Sequence, residues 1–187
     1  QGGKGAQDDV LMTVMLWRLD THDFDGALVI ARYAIQHKLA MPDSFQRNTP
    51  TLIAEELAIN ALSMLANPET DKAALLENLV EVEQLTRDQD MHDQVRARLH
   101  KALGYCLTDI DPAQALVELK RAYELHDKSG VKTDISRLEK LLKKLTDPEN
   151  NTSPLTESIK VADNGNSIGD AVNIDSSSTK ELDKDSP

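Results

Sequence analysis

Metal-dependent cleavage of a phosphodiester needs two or three carboxylates that converge on one point, often with a lysine beside them. Four close pairs are candidates: Asp8–Asp9, Asp23–Asp25, Glu55–Glu56 and Asp109–Asp111. Adjacent or alternate residues on a helix do not share a face. Three of the pairs also fall where helix-capping groups belong, so capping and solvated faces account for them. Glu118-Leu119-Lys120 has the acidic-x-lysine form of a common nuclease motif. That form works on a strand, where alternate residues face the same way; inside a helix the two side chains diverge. The five histidines, His22, His37, His92, His100 and His126, show neither HxH nor HxxxH spacing. No metal ligand set is read from them. Cys106 is alone, which excludes an intramolecular disulfide or a cysteine-based cluster, and its apolar helical context reads as a buried thiol. There is no glycine-rich phosphate loop followed by lysine and no nucleophile elbow. No catalytic residue is assigned.

One concentration of cations stands out. Lys128, Lys132, Arg137, Lys140, Lys143 and Lys144 lie within 17 residues, against Asp134 and Glu139, for a local net of +4. In linear order the two acids sit among the cations, so the face is expected to be interrupted. Arg96, Arg98 and Lys101 form a smaller group. Two readings stay open: a solvated face with cations favouring the helix C-terminus, or a face that contacts DNA phosphates or a partner. The formal net charge is −11. Residues 147–187 hold nine acidic and three basic side chains, a net of −6, and residues 1–146 the other −5. That balance argues against strong, independent DNA binding by the whole surface, because such affinity comes from Lys and Arg releasing counterions. It leaves room for one local basic face.

The elements that must carry these residues are helices. Asp8–Lys38 holds two apolar runs joined by Asp20–Asp23. Val10, Leu11, Val14, Met15 and Trp17 mark the first stripe. Phe24, Ala27, Leu28, Ala31, Ala34 and Ile35 mark the second. So short a link folds them into an antiparallel hairpin, with Gly26 and the alanines letting two backbones approach. Thr49-Pro50 reads as a cap and a first-turn proline, and Asn67-Pro68 ends that helix. Thr70 or Asp71 starts the next, with Leu75, Leu76, Leu79, Val82 and Leu85 inward. Helices follow at about 93–107, 112–127 and 132–145. An offset of 88 residues pairs Trp17 with Tyr105, Asp23 with Asp111, Ala27–Leu28 with Ala115–Leu116, and Ala34 with Ala122. This partly resembles tetratricopeptide helix–turn–helix units; two ordinary hairpins with shared packing chemistry is the other reading. The expected fold is all-α: seven helices as stacked hairpins over residues 8–146. Residues 1–7 read as a linker from a preceding segment, and residues 147–187 as a disordered acidic tail. With no secretory signal and no long apolar run, a soluble intracellular chain is expected.

The wording of several stretches carries a resemblance. GKGAQDDVLMTVMLWRLDTHDFDGALVIARYAI (Gly3–Ile35), MPDSFQRNTPTLIAEELAINAL (Met41–Leu62), VRARLHKALGYCL (Val95–Leu107) and ALVELKRAYELHDKSGVKTDISRLEKLLKKL (Ala115–Leu145) resemble the small terminase subunit of cohesive-end temperate tailed phages, the M-protein family. The resemblance implies a subunit that recognises the packaging site on viral double-stranded DNA and assists a large ATPase subunit. The family is described as a terminase endonuclease subunit, so cleavage at the cohesive-end site is implied too, with Mg²⁺ if this chain cuts. It also implies a homo-oligomer, contact with the procapsid portal, no membrane association, and work in the bacterial host cytoplasm. Two mechanisms follow: a DNA-packaging adaptor without catalytic carboxylates, or a nuclease subunit in which Glu55 or Glu56 meets Asp109 or Asp111 near Lys120. A third possibility is a non-catalytic helical-repeat interaction module.

Overall fold

The computed structural model describes residues 4–42, 45 and 47–146. The expected acidic tail, residues 147–187, lies outside the described residues. Among those residues the chain is all helical, with seven helices and no strand: α1 (Asp9–Asp20), α2 (Phe24–Gln36), α3 (Thr49–Met64), α4 (Lys72–Thr86), α5 (Asp93–Leu107), α6 (Pro112–Leu125) and α7 (Lys132–Thr146).

Most starts are set by one side chain. A helix leaves its first backbone N–H groups without partners, and a short polar side chain just ahead of it accepts from them. Asp8 accepts from the Leu11 N–H, Asp23 from Gly26, Asn48 from Thr51, Asp71 from Ala73 and Ala74, and Asp111 from Ala113 and Gln114. Pro50 and Pro112 occupy first-turn positions, where a missing N–H costs nothing. The cap of α3 is therefore Asn48, one residue before the Thr49 that the sequence pointed to. Thr49 instead donates its hydroxyl to the Leu39 carbonyl at 2.6 Å, tying the connection from α2 to α3.

Consecutive helices pack as hairpins and the hairpins stack: α1 on α2, α3 on α4, α5 on α6, with α3 and α4 both against α5 and α7 against α6. The correspondence at an offset of 88 residues survives in its caps and small residues. Asp23 and Asp111 cap the second helices of their hairpins, and Ala27, Ala34, Ala115 and Ala122 are all buried. Its aromatics diverge, for Trp17 is exposed and Tyr105 half-buried.

The inward stripe of α1 differs from the expected one. Met12, Met15, Leu16 and Leu19 are buried, whereas Val10 is 73% and Trp17 64% exposed. Helix α1 is apolar on two faces, so periodicity alone does not choose between them. Only one face meets α2 and α3. On α7, Leu138 is buried but Leu141 and Leu145 are 42% and 71% exposed, because the last turns of α7 leave most of their apolar stripe uncovered.

Helix α5 is the centre of the stack. Val95, Leu99, Ala102, Leu103 and Cys106 join the larger core, and Gly104 faces α6. Cys106 is fully buried, and burial pushes its thiol up to about 11. A smaller core of Ala115, Leu119, Ala122, Val131 and Leu138 holds α6 and α7 together. Gly26, by contrast, permits no backbone approach; an added Cβ there would meet the Arg18 and Asp23 side chains.

One half-buried polar contact links α5 to α6: His100 Nδ1 lies 2.7 Å from Glu118 Oε2, and the Gln114 amide donates to Glu118 Oε1 at 2.9 Å. Burial pushes the Glu118 carboxyl up. The hydrogen bonds from His100 and Gln114, with the charge of His100, pull it further down, so it sits below its ordinary value. A carboxyl depressed by folding stabilises the fold above its unfolded pKa, near 4.5, and loses that contribution as pH falls through the folded value. Urea unfolding of the wild type and Glu118→Gln should therefore show a stability difference that shrinks as pH is lowered from neutrality to below the carboxylate range. A difference independent of pH would contradict this.

Candidate nucleic-acid interface

The cations singled out on the sequence fall mostly on one helix face. At about 100° per residue, Lys132, Arg137, Lys140, Lys143 and Lys144 occupy an arc of roughly 140° on α7. Leu138, with half-buried Ile135 and Leu142, lies on the opposite side, against α6. All five cations are exposed. The acids do not interrupt this arc; they flank it. Asp134 accepts from the Tyr105 hydroxyl at 3.0 Å and from Arg137 at 3.2 Å, and Glu139 pairs with Lys120 of α6 at 2.7 Å. Both carboxylates are thus turned to the edges of the face by partners on it or on neighbouring helices. Burial and the hydrogen bond to Asp134 push the Tyr105 hydroxyl up to about 12, so it remains a donor. The expectation of a broken face came from linear order, and helical geometry corrects it.

Lys128 is not on that helix. It precedes α7 in the connection from α6 and lines a cleft of about 240 Å³ with Leu62, Gln94, Ala97, Arg98, Lys101, His126 and Ser129. Of the smaller basic group, Arg98 and Lys101 line this cleft. Arg96 does not: it donates to the carbonyls of Thr86 at 3.3 Å and Gln89 at 2.8 Å, closing the end of α4.

Of the carboxylates considered for catalysis, Glu55, Asp109 and Asp111 are engaged by other groups. Glu55 is only 7% exposed and is flanked by two guanidiniums: Arg98 Nη1 donates to Oε1 at 2.8 Å, and Arg47 meets Oε2. It ties α3 to α5 and to the connection before α3. Asp109 pairs with Lys72, Asp111 caps α6, and Lys120 is held by Glu139. Among the described residues, no three His, Cys, Asp or Glu side chains gather closely enough to hold a metal ion. The donor set for a divalent ion does not assemble from these groups. What the described surface of α7 offers is a run of exposed positive charge.

Residues 1–94, from the start of the chain into the first residues of α5, match the family model described as phage small terminase subunit. The chain is 49% identical over 148 residues to a protein of Escherichia phage P2 named "Terminase, endonuclease subunit", covering 79% of this chain and 59% of that one. It is 29% identical over 156 residues to a protein of Haemophilus phage HP1 named "Probable terminase, endonuclease subunit", covering 72% of this chain and 52% of that one. The chain thus spans between half and three fifths of the length of these relatives. No solved structure matches it.

Proposed function

The chain belongs to the phage small terminase subunit family, and from that premise we propose that it binds viral double-stranded DNA at the packaging site and directs its cleavage and packaging with a large ATPase subunit. One observation carries the DNA half of this reading: the solvent face of α7 bears five cations and its two acids lie at the edges. Neutralising backbone phosphates with such a face releases counterions and gives affinity without reading sequence. Helix α7 lies beyond the residues matched by the family model, so its role is argued from its own chemistry.

The chain acts as an adaptor on this reading. Glu55 is spent on Arg47 and Arg98, Asp109 on Lys72 and Asp111 on a helix cap, which supports directing cleavage over performing it. The relatives' names support a place at the cutting step. Its partners are then the large subunit, duplex DNA, the portal of the procapsid and further copies of itself, in the cytoplasm of a bacterial host. No helix among the described residues is long and apolar enough to cross a membrane.

The second reading, a non-catalytic helical-repeat interaction module, is favoured by the ridge on α1. Val10 and Trp17 are seven residues apart, on one face, and exposed. A solvent-facing tryptophan on an apolar ridge is the residue type that anchors protein interfaces. On that reading the ridge meets the large subunit and α7 is a solvated face.

Incubating the chain with cohesive-end-site DNA and Mg²⁺, with and without the large subunit, separates these mechanisms. The adaptor reading expects binding without cutting by the chain alone, and cutting once the large subunit is added. Specific nicking by the chain alone, lost in Asp109→Asn, would place the chemistry here and overturn it.

A further inference from the structure

Cations far apart in sequence meet in the cleft between α3, α5 and the connection from α6 to α7. Arg98 and Lys101 come from α5 and Lys128 from the connection, 27 residues after Lys101; His126 lines the cleft too. Among the described residues no carboxylate lines the cleft. The nearby Glu55 is shared by Arg47 and Arg98, one negative charge between two guanidiniums. Lys101 is paired with no carboxylate among the described residues. Its ammonium donates to the Ser129 carbonyl at 2.8 Å and lies 5.6 Å from the centre of the Tyr105 ring. A carbonyl oxygen and a ring face hold the ammonium in place without neutralising it. The turn at Gly130, with φ +80, carries the chain past it, 3.7 Å from where a Cβ would stand to the Lys101 ammonium. Ser129 adds a buried hydroxyl with no hydrogen-bond partner among the described residues.

We propose that this cleft seats one phosphate of a nucleic-acid backbone, held by Lys101, Lys128 and Arg98, with the Ser129 hydroxyl as a further donor. The inference rests on the DNA-binding reading and deepens it. Its position gives the reason: Lys128 and Ser129 lie four and three residues before Lys132, the first residue of α7. A strand lying along the cationic arc of α7, about 22 Å long at 1.5 Å per residue, arrives at the cleft at the helix's N-terminal end. The volume of about 240 Å³ has room for one tetrahedral phosphate.

The test uses the full chain in two arms. In the first, inorganic phosphate is titrated while the backbone amide signals of Ser129, Gly130 and Lys101 are followed by NMR. These signals should shift in the wild type and in Lys101→Arg, and shift less in Lys128→Gln, an exposed substitution that leaves the fold alone. In the second, the salt dependence of duplex DNA binding is measured. Neutralising Lys101→Gln together with Lys128→Gln should flatten the log–log slope by about 0.9, the contribution of one phosphate, and weaken affinity by about 3–10-fold near 0.1 M salt. Lys101→Arg should keep the wild-type slope, which separates loss of charge from loss of the loop's anchor. A wild type that binds DNA while the double substitution keeps its slope overturns the cleft and leaves the DNA-binding reading intact. A wild type without DNA affinity overturns both, and phosphate shifts in that case mark a small-anion site instead.

Discussion

Replacing Lys132, Lys140, Lys143 and Lys144 together by glutamine is expected to weaken duplex DNA binding by about 100–4,000-fold near 0.1 M salt and to flatten the salt slope by roughly 3.6. The size follows from counterion release, since four exposed cations on one arc neutralise about that many phosphates. The substitution is chosen to spare the fold. All four lysines are exposed, and none is in a salt bridge among the described residues. Glutamine has about the helix propensity of lysine. The thermal midpoint should therefore move by no more than a few degrees. A control with Arg32→Gln, Lys38→Gln and Arg87→Gln, on or just after α2 and α4, lowers the overall charge by a similar amount on helices that do not pack on α7. It should change affinity far less, because screening limits the reach of exposed charges to about 10 Å. Equal losses in both variants would mean that net charge, and not this face, governs binding.

The largest effect on stability is expected at Gly104. A Cβ there would stand 2.6 Å from Leu119 Cδ2, 2.7 Å from its Cγ and 3.3 Å from the Ala115 carbonyl oxygen. Leu119 is fully buried, so it has nowhere to move without displacing the small core that holds α6 and α7. Gly104→Val should cost about 3 kcal/mol, at the upper end of what overpacking costs. Gly104→Ala places its Cβ against the same Leu119 atoms but should cost less than valine, because it adds no further methyls and alanine recovers about 1 kcal/mol of helix propensity. Urea midpoints measure both. The cycle with Leu119→Ala identifies the cause: the double substitution Gly104→Val with Leu119→Ala should be less destabilised than the sum of the two. Strict additivity would mean that the contact with Leu119 is not what the valine breaks. Since α7 packs on α6, the same variant should also lose DNA affinity.

What could be read in the sequence was local. The aspartates at 23, 71 and 111 announce their helices because a cap acts on N–H groups two or three residues away. The stripe on α2 was legible for the same reason: a helix with one apolar face declares which way it turns. Helix α1 was not, since two apolar faces cancel as a directional signal, and only the placement of α2 and α3 decides that Met12 goes in and Trp17 stays out. The α7 cations were found, but counting them in line mixed in Asp134 and Glu139, which a 3.6-residue period moves to the edges. Glu55 was read as one of a solvated or capping pair and is a buried ion-pair partner. Its hydrogen-bonded partner, Arg98, is 43 residues away, and nothing local foretells such a meeting. Gly104 and the Lys101–Lys128 cleft escaped for the same reason, because their partners arrive from the next helix or the connection beyond it.

The central claim is that α7 presents its cationic face to duplex DNA. Lysine-reactivity footprinting of the full chain, read by mass spectrometry with and without a cohesive-end-site duplex, tests it most directly. Protection concentrated on Lys132, Lys140, Lys143 and Lys144, with Lys38 and Lys72 reacting as before, is the predicted result. DNA that binds while these four stay fully reactive, or that protects lysines all over the surface equally, would contradict it.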